Sequence, residues 1–569
     1  MHKKIINYFK LVPRHVWVLV FIIAVGIFFR TYNFHDWLHF KGDSFRDAIL
    51  VSHSIIDGPA FLPLLGPRAG GTQLHLGPIF YYFQYISGTI FQSTSPVVLA
   101  FPDLFLSIMA IPLFFLMLRR YFSKKISLIL TAMLATCYMA VEYGRFAWNP
   151  NSTPFFTILF LYSLLKAYDS ENNRQYAWLA ISGGALAIAS QLHFSAFLGL
   201  PIIFILFVIL NWKKSKKIIF SWRSLLIFFG TIFVFYIPVI IFEVVTHGKN
   251  TFLFFDAVNG KSSNRGLWKN IVQETKMFSK YFLWIGAGVF EGKWWQELAS
   301  KFLVFAGIAA NLFLFKKETD EKKKRFLLLT FIFMLVYLVL YFLLAFEIEK
   351  SRFFLPLIIM PFILVGYLAL LAGKTKFKKT SNFFIGIFII ALIFGNARSI
   401  MTWFSEMKES ETERETSYKV LTEKDKSFWW TWGRFEKAAD YMDESCQKNA
   451  VFFLMSKKTK DYDHSIEYAL IQRNRNLAIE LKDKFKEKYE NYDRCYFYIS
   501  LAKEILPDFV QQKKHDEPFF LGDMKITQWY PENALLSVSP ANKDPEERDS
   551  LEKIIASKYP RLQWGDLFQ

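Results

Sequence analysis

Three cysteines in 569 residues, with no metal-ligand spacing among them, indicate neither a disulfide framework nor a zinc site. Charge is nearly missing from the interiors of the long apolar runs. No small-residue cleavage site follows the first of these runs, so it reads as an uncleaved first helix. What is abundant is apolar: 53% of the residues are hydrophobic and 19% aromatic, with 64 Phe. A soluble chain of this length has fewer apolar residues in shorter runs. The net charge of +19 would suit nucleic acid, but the Lys and Arg residues sit largely in short loops between apolar runs. That is the pattern that orients membrane proteins, and it leaves no reason to expect a nucleic-acid partner.

A membrane-spanning helix takes roughly 20 apolar residues, fewer where its flanks snorkel. The runs at 16–29, 97–118, 126–141, 155–168, 176–191, 196–212, 225–242, 298–315, 326–346, 353–371 and 383–400 predict about eleven spans. Lys3, Lys4, Lys10 and Arg14 precede the first, which puts the N-terminus in the cytoplasm. Alternate loops then fall inside and are rich in Lys and Arg, as at 119–125, 213–217, 316–325 and 374–379; the loop 166–174 is the weak exception. The expectation is a multi-pass α-helical protein of the cell membrane, residues 1–400, with long outer loops at 30–95 and 243–297. Residues 79–91 and 281–290 read as helices lying at the interface. The Gly- and Pro-rich stretch 58–78 must be packed on protein or line a wet cavity.

Beyond residue 400 the chain turns hydrophilic. A helical pattern at 433–444 and strand-like runs at 450–455 and 496–501 predict an extracytoplasmic α/β domain over 401–569. Cys446 and Cys495 could pair there or stay as two core thiols, while Cys137 lies in a membrane helix.

The chemistry gathers at the start of the first outer loop, Phe40-Lys41-Gly42-Asp43-Ser44-Phe45-Arg46-Asp47. A short helix from 44 to 56, stopped by Asp57-Gly58-Pro59, places Asp43, Arg46 and Asp47 near one face. Asp43 as an N-cap and Arg46 paired with Asp47 is the plainer reading of the same residues. The outer ends of the spans add Arg68, His75, Arg145, Asn149, Asn151, His193, Glu243, His247 and Arg352. Each alone fits a solvated or snorkelled flank, and the His residues are the weakest members. As a set they suit a phosphate-bearing lipid, because Arg binds phosphate oxygens in bidentate fashion. A phosphate leaving group needs little acid help, so one carboxylate to deprotonate the nucleophile suffices.

The sequence resembles the GT-C superfamily of polytopic glycosyltransferases, nearest to its family 39 branch of protein O-mannosyltransferases and aminoarabinose transferases. The resemblance rests on Gly42-Asp43 with Arg46-Asp47-Ala48, on Leu76-Gly77-Pro78-Ile79-Phe80-Tyr81-Tyr82, and on the basic loop 119–125. Arg145-Phe146-Ala147-Trp148-Asn149-Pro150-Asn151 and Arg352-Phe353-Phe354-Leu355-Pro356 complete it. It covers about the first 400 residues and implies a polyprenyl-phosphate-linked sugar donor, inversion at the anomeric carbon, and an acceptor that is protein, lipid or glycan. It also implies that Asp43 is the general base. Many relatives carry an adjacent Asp-Glu pair; here the second acid is displaced to Asp47. Some relatives need a divalent cation, Mg or Mn, for which Asp43 and Asp47 alone supply too few ligands. The competing reading is a transporter or lipid flippase, which would place polar groups near the bilayer midplane rather than at the ends of spans.

Overall fold

The computed structural model describes residues 13–70, 72–171, 173–260, 266–289, 292–343, 350–415, 429–446, 450–473, 478–481, 494–530 and 562–567. Lys3, Lys4 and Lys10, and the predicted helix ends at 290 and 344–346, lie outside these residues. The chain forms two compact units, each discontinuous in sequence. The first holds Met1–Tyr32, Pro63–Phe83 and Pro102–Ile400; the second holds Asn33–Leu62, Gln84–Phe101 and Met401–Gln569.

Up to residue 260 the helices are α1 (Arg14–Thr31), α2 (Asp43–Asp57), α3 (Ile79–Phe91), α4 (Pro96–Leu118), α5 (Lys124–Ala135) and α6 (Tyr138–Tyr143). There follow α7 (Thr153–Asp169), α8 (Asn173–Leu192), α9 (Phe194–Leu210), α10 (Trp212–Ile218), α11 (Trp222–Val245) and α12 (Lys249–Gly260). After it come α13 (Leu267–Ala287), α14 (Trp294–Lys317), α15 (Glu321–Leu343), α16 (Met360–Ala372) and α17 (Lys378–Thr412). Every run expected to span is thus largely helical. Among the described residues six helices, α1, α4, α11, α14, α15 and α17, are long and apolar enough to cross a membrane, or seven if the bent pair α9–α10 counts as one span.

The difference from eleven has local causes. The run 126–141 is broken between α5 and α6, where the Asn396 side chain accepts from the Tyr138 amide at 2.9 Å and donates to Gly286 O at 2.8 Å. The run 353–371 begins as a 3-10 turn, Ser351–Phe354, and becomes helical only at α16, with Pro361 in its first turn. Helix α8 is long but diluted by Ser182, Gly183 and Gly184. These small residues allow close packing: a Cβ on Gly183 would lie 2.7 Å from the Phe228 carbonyl oxygen on α11.

In the second unit α18 (Trp432–Ser445) and α19 (Asp463–Arg473) accompany a six-stranded sheet. Its strands are β1 (Ala450–Met455), β2 (Ala478–Leu481), β3 (Arg494–Leu501), β4 (Lys514–His515), β5 (Phe519–Leu521) and β6 (Met524–Tyr530). The order is β2-β1-β3-β6-β4, with β5 also on β6. Strands β2 and β3 run parallel to β1, and β6 antiparallel to β3. Phe452, Leu454, Tyr496, Val510 and Trp529 form a core cluster on it. Cys446 and Cys495 are joined, with Cα atoms 5.7 Å apart, and Cys137 is a buried thiol.

Candidate active site

In the second unit, Gly42 is the cap residue before α2, and its φ of +49° is strained for any residue with a Cβ. Asp43 therefore sits in the first turn, where the helix dipole favours a carboxylate, and it is not the cap itself. Arg46 reaches both acids: Nη1 donates to Asp43 Oδ1 at 2.8 Å, Nε to Asp47 Oδ1 at 2.8 Å, and Nη2 lies 2.7 Å from the same oxygen. The Asp43 side chain is 52% exposed, Arg46 17% and Asp47 0%. The expected shared face is present, but its members differ in depth. Asp43 alone offers a carboxylate to solvent; Asp47 anchors Arg46 from the interior.

The same unit fixes this helix from several sides. Phe45 stacks on His464 at 4.7 Å, Ser52 bonds the Tyr468 hydroxyl at 2.7 Å, and Tyr468 donates to Thr94 O at 2.7 Å. Ser465 donates to Phe40 O at 2.9 Å, and Lys41 pairs with Asp461 at 3.3 Å. The orientation of Asp43 thus depends on residues more than 400 positions away in sequence.

In the first unit, residues 66–69 and 74–76 pair in antiparallel fashion, with Arg68 opposite His75. Arg68 is exposed and His75 half-buried. Asn250 clamps the His75 backbone, accepting from its N–H at 2.9 Å and donating to its carbonyl at 3.0 Å. Gly77 lies so close to the Gln191 side chain that a Cβ would collide. The Arg352 guanidinium fills the space beside Gly70, where a Cβ would be 2.5 Å from Nη2. The same guanidinium lies 5.4 Å from the centroid of the Trp148 ring, a cation–π distance. Tyr143 stacks on Trp148 and its hydroxyl bonds Ser351, so the base of Arg352 is held as well.

Around this centre the other expected residues divide. His193 caps α9 through Ser195 and meets Phe353 edge-on at 5.3 Å. Asn149 donates to Leu192 O at 2.7 Å. Asn151 donates to Phe146 O at 2.8 Å, while its Oδ1 has no hydrogen bond among the described residues and borders a small cavity with Arg30, Ser107 and Tyr143. Arg145 does not join Arg352. It is buried and donates to the carbonyls of Phe29, Arg30 and Tyr32, closing the C-terminal end of α1. A guanidinium so placed holds the end of α1. Glu243 lies in the last turns of α11, with Oε2 making no hydrogen bond among the described residues, and His247 is exposed behind it.

Sequence reasoning missed Asp103. This buried acid in an apolar helix holds the asparagine loop, accepting from the Trp148 N–H at 3.2 Å and from the Ser152 hydroxyl. It also missed Glu274 on α13, 4% exposed, with an oxygen that bonds nothing among the described residues. Burial raises its pKa from the ordinary 4.5 to about 8. The unfolded chain ionises this group above 4.5 and the folded chain only near 8, so wild-type stability is full at acid pH and falls across that interval. Glu274→Gln should flatten this stretch of a melting-temperature profile; an unchanged slope would contradict the assignment.

No group of three or more His, Cys, Asp or Glu poised for a metal occurs among the described residues. The two acids of α2 already share the Arg46 guanidinium, so this donor set does not fit a divalent cation.

Residues 75–245 match the family described as dolichyl-phosphate-mannose-protein mannosyltransferase. No curated protein sequence matches the chain. The fold is similar to that of ArnT from Cupriavidus metallidurans in the apo state, with a TM-score of 0.54 at 11% identity over 91% of this chain and 98% of that one. The same protein bound to undecaprenyl phosphate gives 0.53 at 12% identity, over 93% of this chain and 100% of that one. An oligosaccharyltransferase from Archaeoglobus fulgidus aligns at 15% identity with a TM-score of 0.46; the match takes in 82% of this chain but spans only 64% of the length of that protein. The chain thus carries a stretch that matches a protein mannosyltransferase family, within a fold similar to that of ArnT.

Proposed function

We propose that the protein is an inverting glycosyltransferase that moves a sugar from a polyprenyl-phosphate donor to an acceptor hydroxyl or amine. The observation that carries this is the α2 N-terminus, one exposed carboxylate backed by a half-buried Arg46 paired with the buried Asp47. In the reaction the acceptor oxygen or nitrogen forms a bond to the anomeric carbon while the bond from that carbon to the phosphate oxygen breaks. Asp43 takes the acceptor proton, and the electron pair leaves with polyprenyl phosphate. An anionic leaving group asks for positive charge rather than for an acid. Arg352, stacked on Trp148, is the cation we assign to the phosphate, with the exposed Arg68 as its helper. Arg46 and Asp47 orient Asp43. Asn149, Asn151 and His193 shape the segments beside Trp148 and Arg352, Arg145 closes the end of α1, and His75 and Glu243 are candidates for contacts to the sugar. The protein would sit in the cell membrane with its N-terminus cytoplasmic and its Lys/Arg-rich loops on that side. No step is assigned to a divalent cation.

A panel of radiolabelled polyprenyl-phosphate sugars, with the anomeric configuration of each product determined, tests the reading. Inversion with one donor class supports it; retention would remove the single-carboxylate scheme. Arg352→Gln should raise the KM for the donor roughly tenfold or more, and Arg352→Lys should recover only part, because an ammonium lacks the planar fork. Equal donor KM values in all three proteins would take Arg352 away from the phosphate.

A further inference from the structure

The short helix α10 leaves α9 at 106°, so it turns across the bundle instead of prolonging the span. Its sequence is Trp-Lys-Lys-Ser-Lys-Lys-Ile, with Ser215 and Ile218 buried and Lys213, Lys214, Lys216 and Lys217 all exposed. The buried side is bolted down: Ser215 bonds the Tyr168 hydroxyl at 2.5 Å, and Gln175 donates to Ile218 O at 3.0 Å. Trp212, Phe220 and Trp222 stand exposed at its two ends. A lysine-rich face flanked by aromatic rings is the composition of a helix lying at a bilayer surface, rings at headgroup depth and ammonium groups above.

The turn that anchors α10 adds to the positive charge. Asp169, at the end of α7, is held by Arg120 and by Arg325, the latter at 2.6 Å. One carboxylate between two guanidinium groups leaves a net positive charge in a mostly buried place. Beside it Lys166 lies 5.3 Å from the Trp178 ring centroid and feels the charges of Arg120, Arg174 and Lys322. This explains why the loop 166–174 looks poor in basic residues yet belongs to a basic surface: its acid is taken up by neighbouring loops.

We propose that α10 lies flat on the membrane and that its four lysines, with the adjoining Lys166 and Arg174, bind the phosphate headgroups of anionic phospholipids. The inference does not depend on the glycosyltransferase reading. Its test uses the full-length protein purified from mixed phosphatidylglycerol–phosphatidylcholine vesicles, with the retained lipids quantified by mass spectrometry. Wild type should retain phosphatidylglycerol in excess of its share of the vesicle. K213Q/K214Q/K216Q/K217Q should lose that excess by roughly tenfold or more, since each lysine near an anionic surface contributes measurably to attraction. The corresponding Lys→Arg variant should keep it, and a matched melting curve in phosphatidylcholine alone would show that the fold is intact. Retention of the two lipids in the vesicle ratio by wild type, or equal excess in the Gln variant, overturns the proposal. Displacement of the lipid by inorganic phosphate at equal concentration would also overturn it, in favour of a site for a free anion.

Discussion

Asp43→Asn should lower sugar transfer by a factor of about 10²–10⁴, the range over which a positioned general base contributes. The side chain keeps its size and can still accept from Arg46, but it can no longer take a proton. Loss of a carboxylate in the first turn costs about 0.3–1 kcal/mol of helix stability, so the variant should fold and melt close to wild type. Donor binding should survive, because the phosphate is assigned to Arg352. Asp47→Asn should act differently: with the buried anchor weakened, Arg46 swings and both turnover and stability fall together. A variant of Asp43 that turns over at the wild-type rate would remove this residue from the chemistry.

The second large effect concerns stability. Arg434 on α18 pairs with Asp523, both side chains within a few per cent of full burial. Arg434 also donates to the Ser410 hydroxyl at 2.8 Å, and Trp430 donates to Asp523 at 2.9 Å. Burial already pushes the Asp523 carboxyl up, with the Arg434 charge opposing the rise. Arg434→Met would strand that carboxylate, and breaking a buried pair in this way costs about 3–5 kcal/mol. The sign with pH follows. A stranded acid can be tolerated protonated, so the loss should be largest at neutral and alkaline pH and shrink as pH falls. Thermal melting of the full-length variant, with Arg434→Met/Asp523→Asn as the companion, checks this. The double variant should regain part of the loss; a single variant that melts with wild type would show the pair to be dispensable.

How far the sequence could be read depended on the range of the interaction involved. Apolar length and flanking charge located the helices of the expected spans, and 79–91 proved helical over that interval, but α12 and most of α13 fall in the stretch 243–297 that read as a loop with a helix only at 281–290. Local spacing placed Asp43, Arg46 and Asp47 together, because three- and four-residue steps share a face. It could not tell which acid is exposed, since depth depends on Tyr468 and His464 packing on α2, and Ser465 on Phe40 before it, from far along the chain. Arg145 looked like a phosphate ligand because Arg at the edge of a span usually has a purpose. Its purpose here is three carbonyls at the end of α1, a tertiary contact without a sequence signature. Asp103 was hidden by the apolar residues around it, and Asp169 by two arginines from other loops. The run 353–371 read as one span, and neither its late helical start at α16 nor the Asn396 contact at the break between α5 and α6 was legible in the sequence.

The most direct measurement is the appearance of free polyprenyl phosphate from a lipid-linked sugar, using purified wild-type protein in detergent with no membrane and no gradient. The account predicts one polyprenyl phosphate released for each sugar transferred to acceptor. Intact lipid-linked sugar in detergent, together with movement of that same intact molecule across a liposome bilayer, would contradict it and identify a carrier instead.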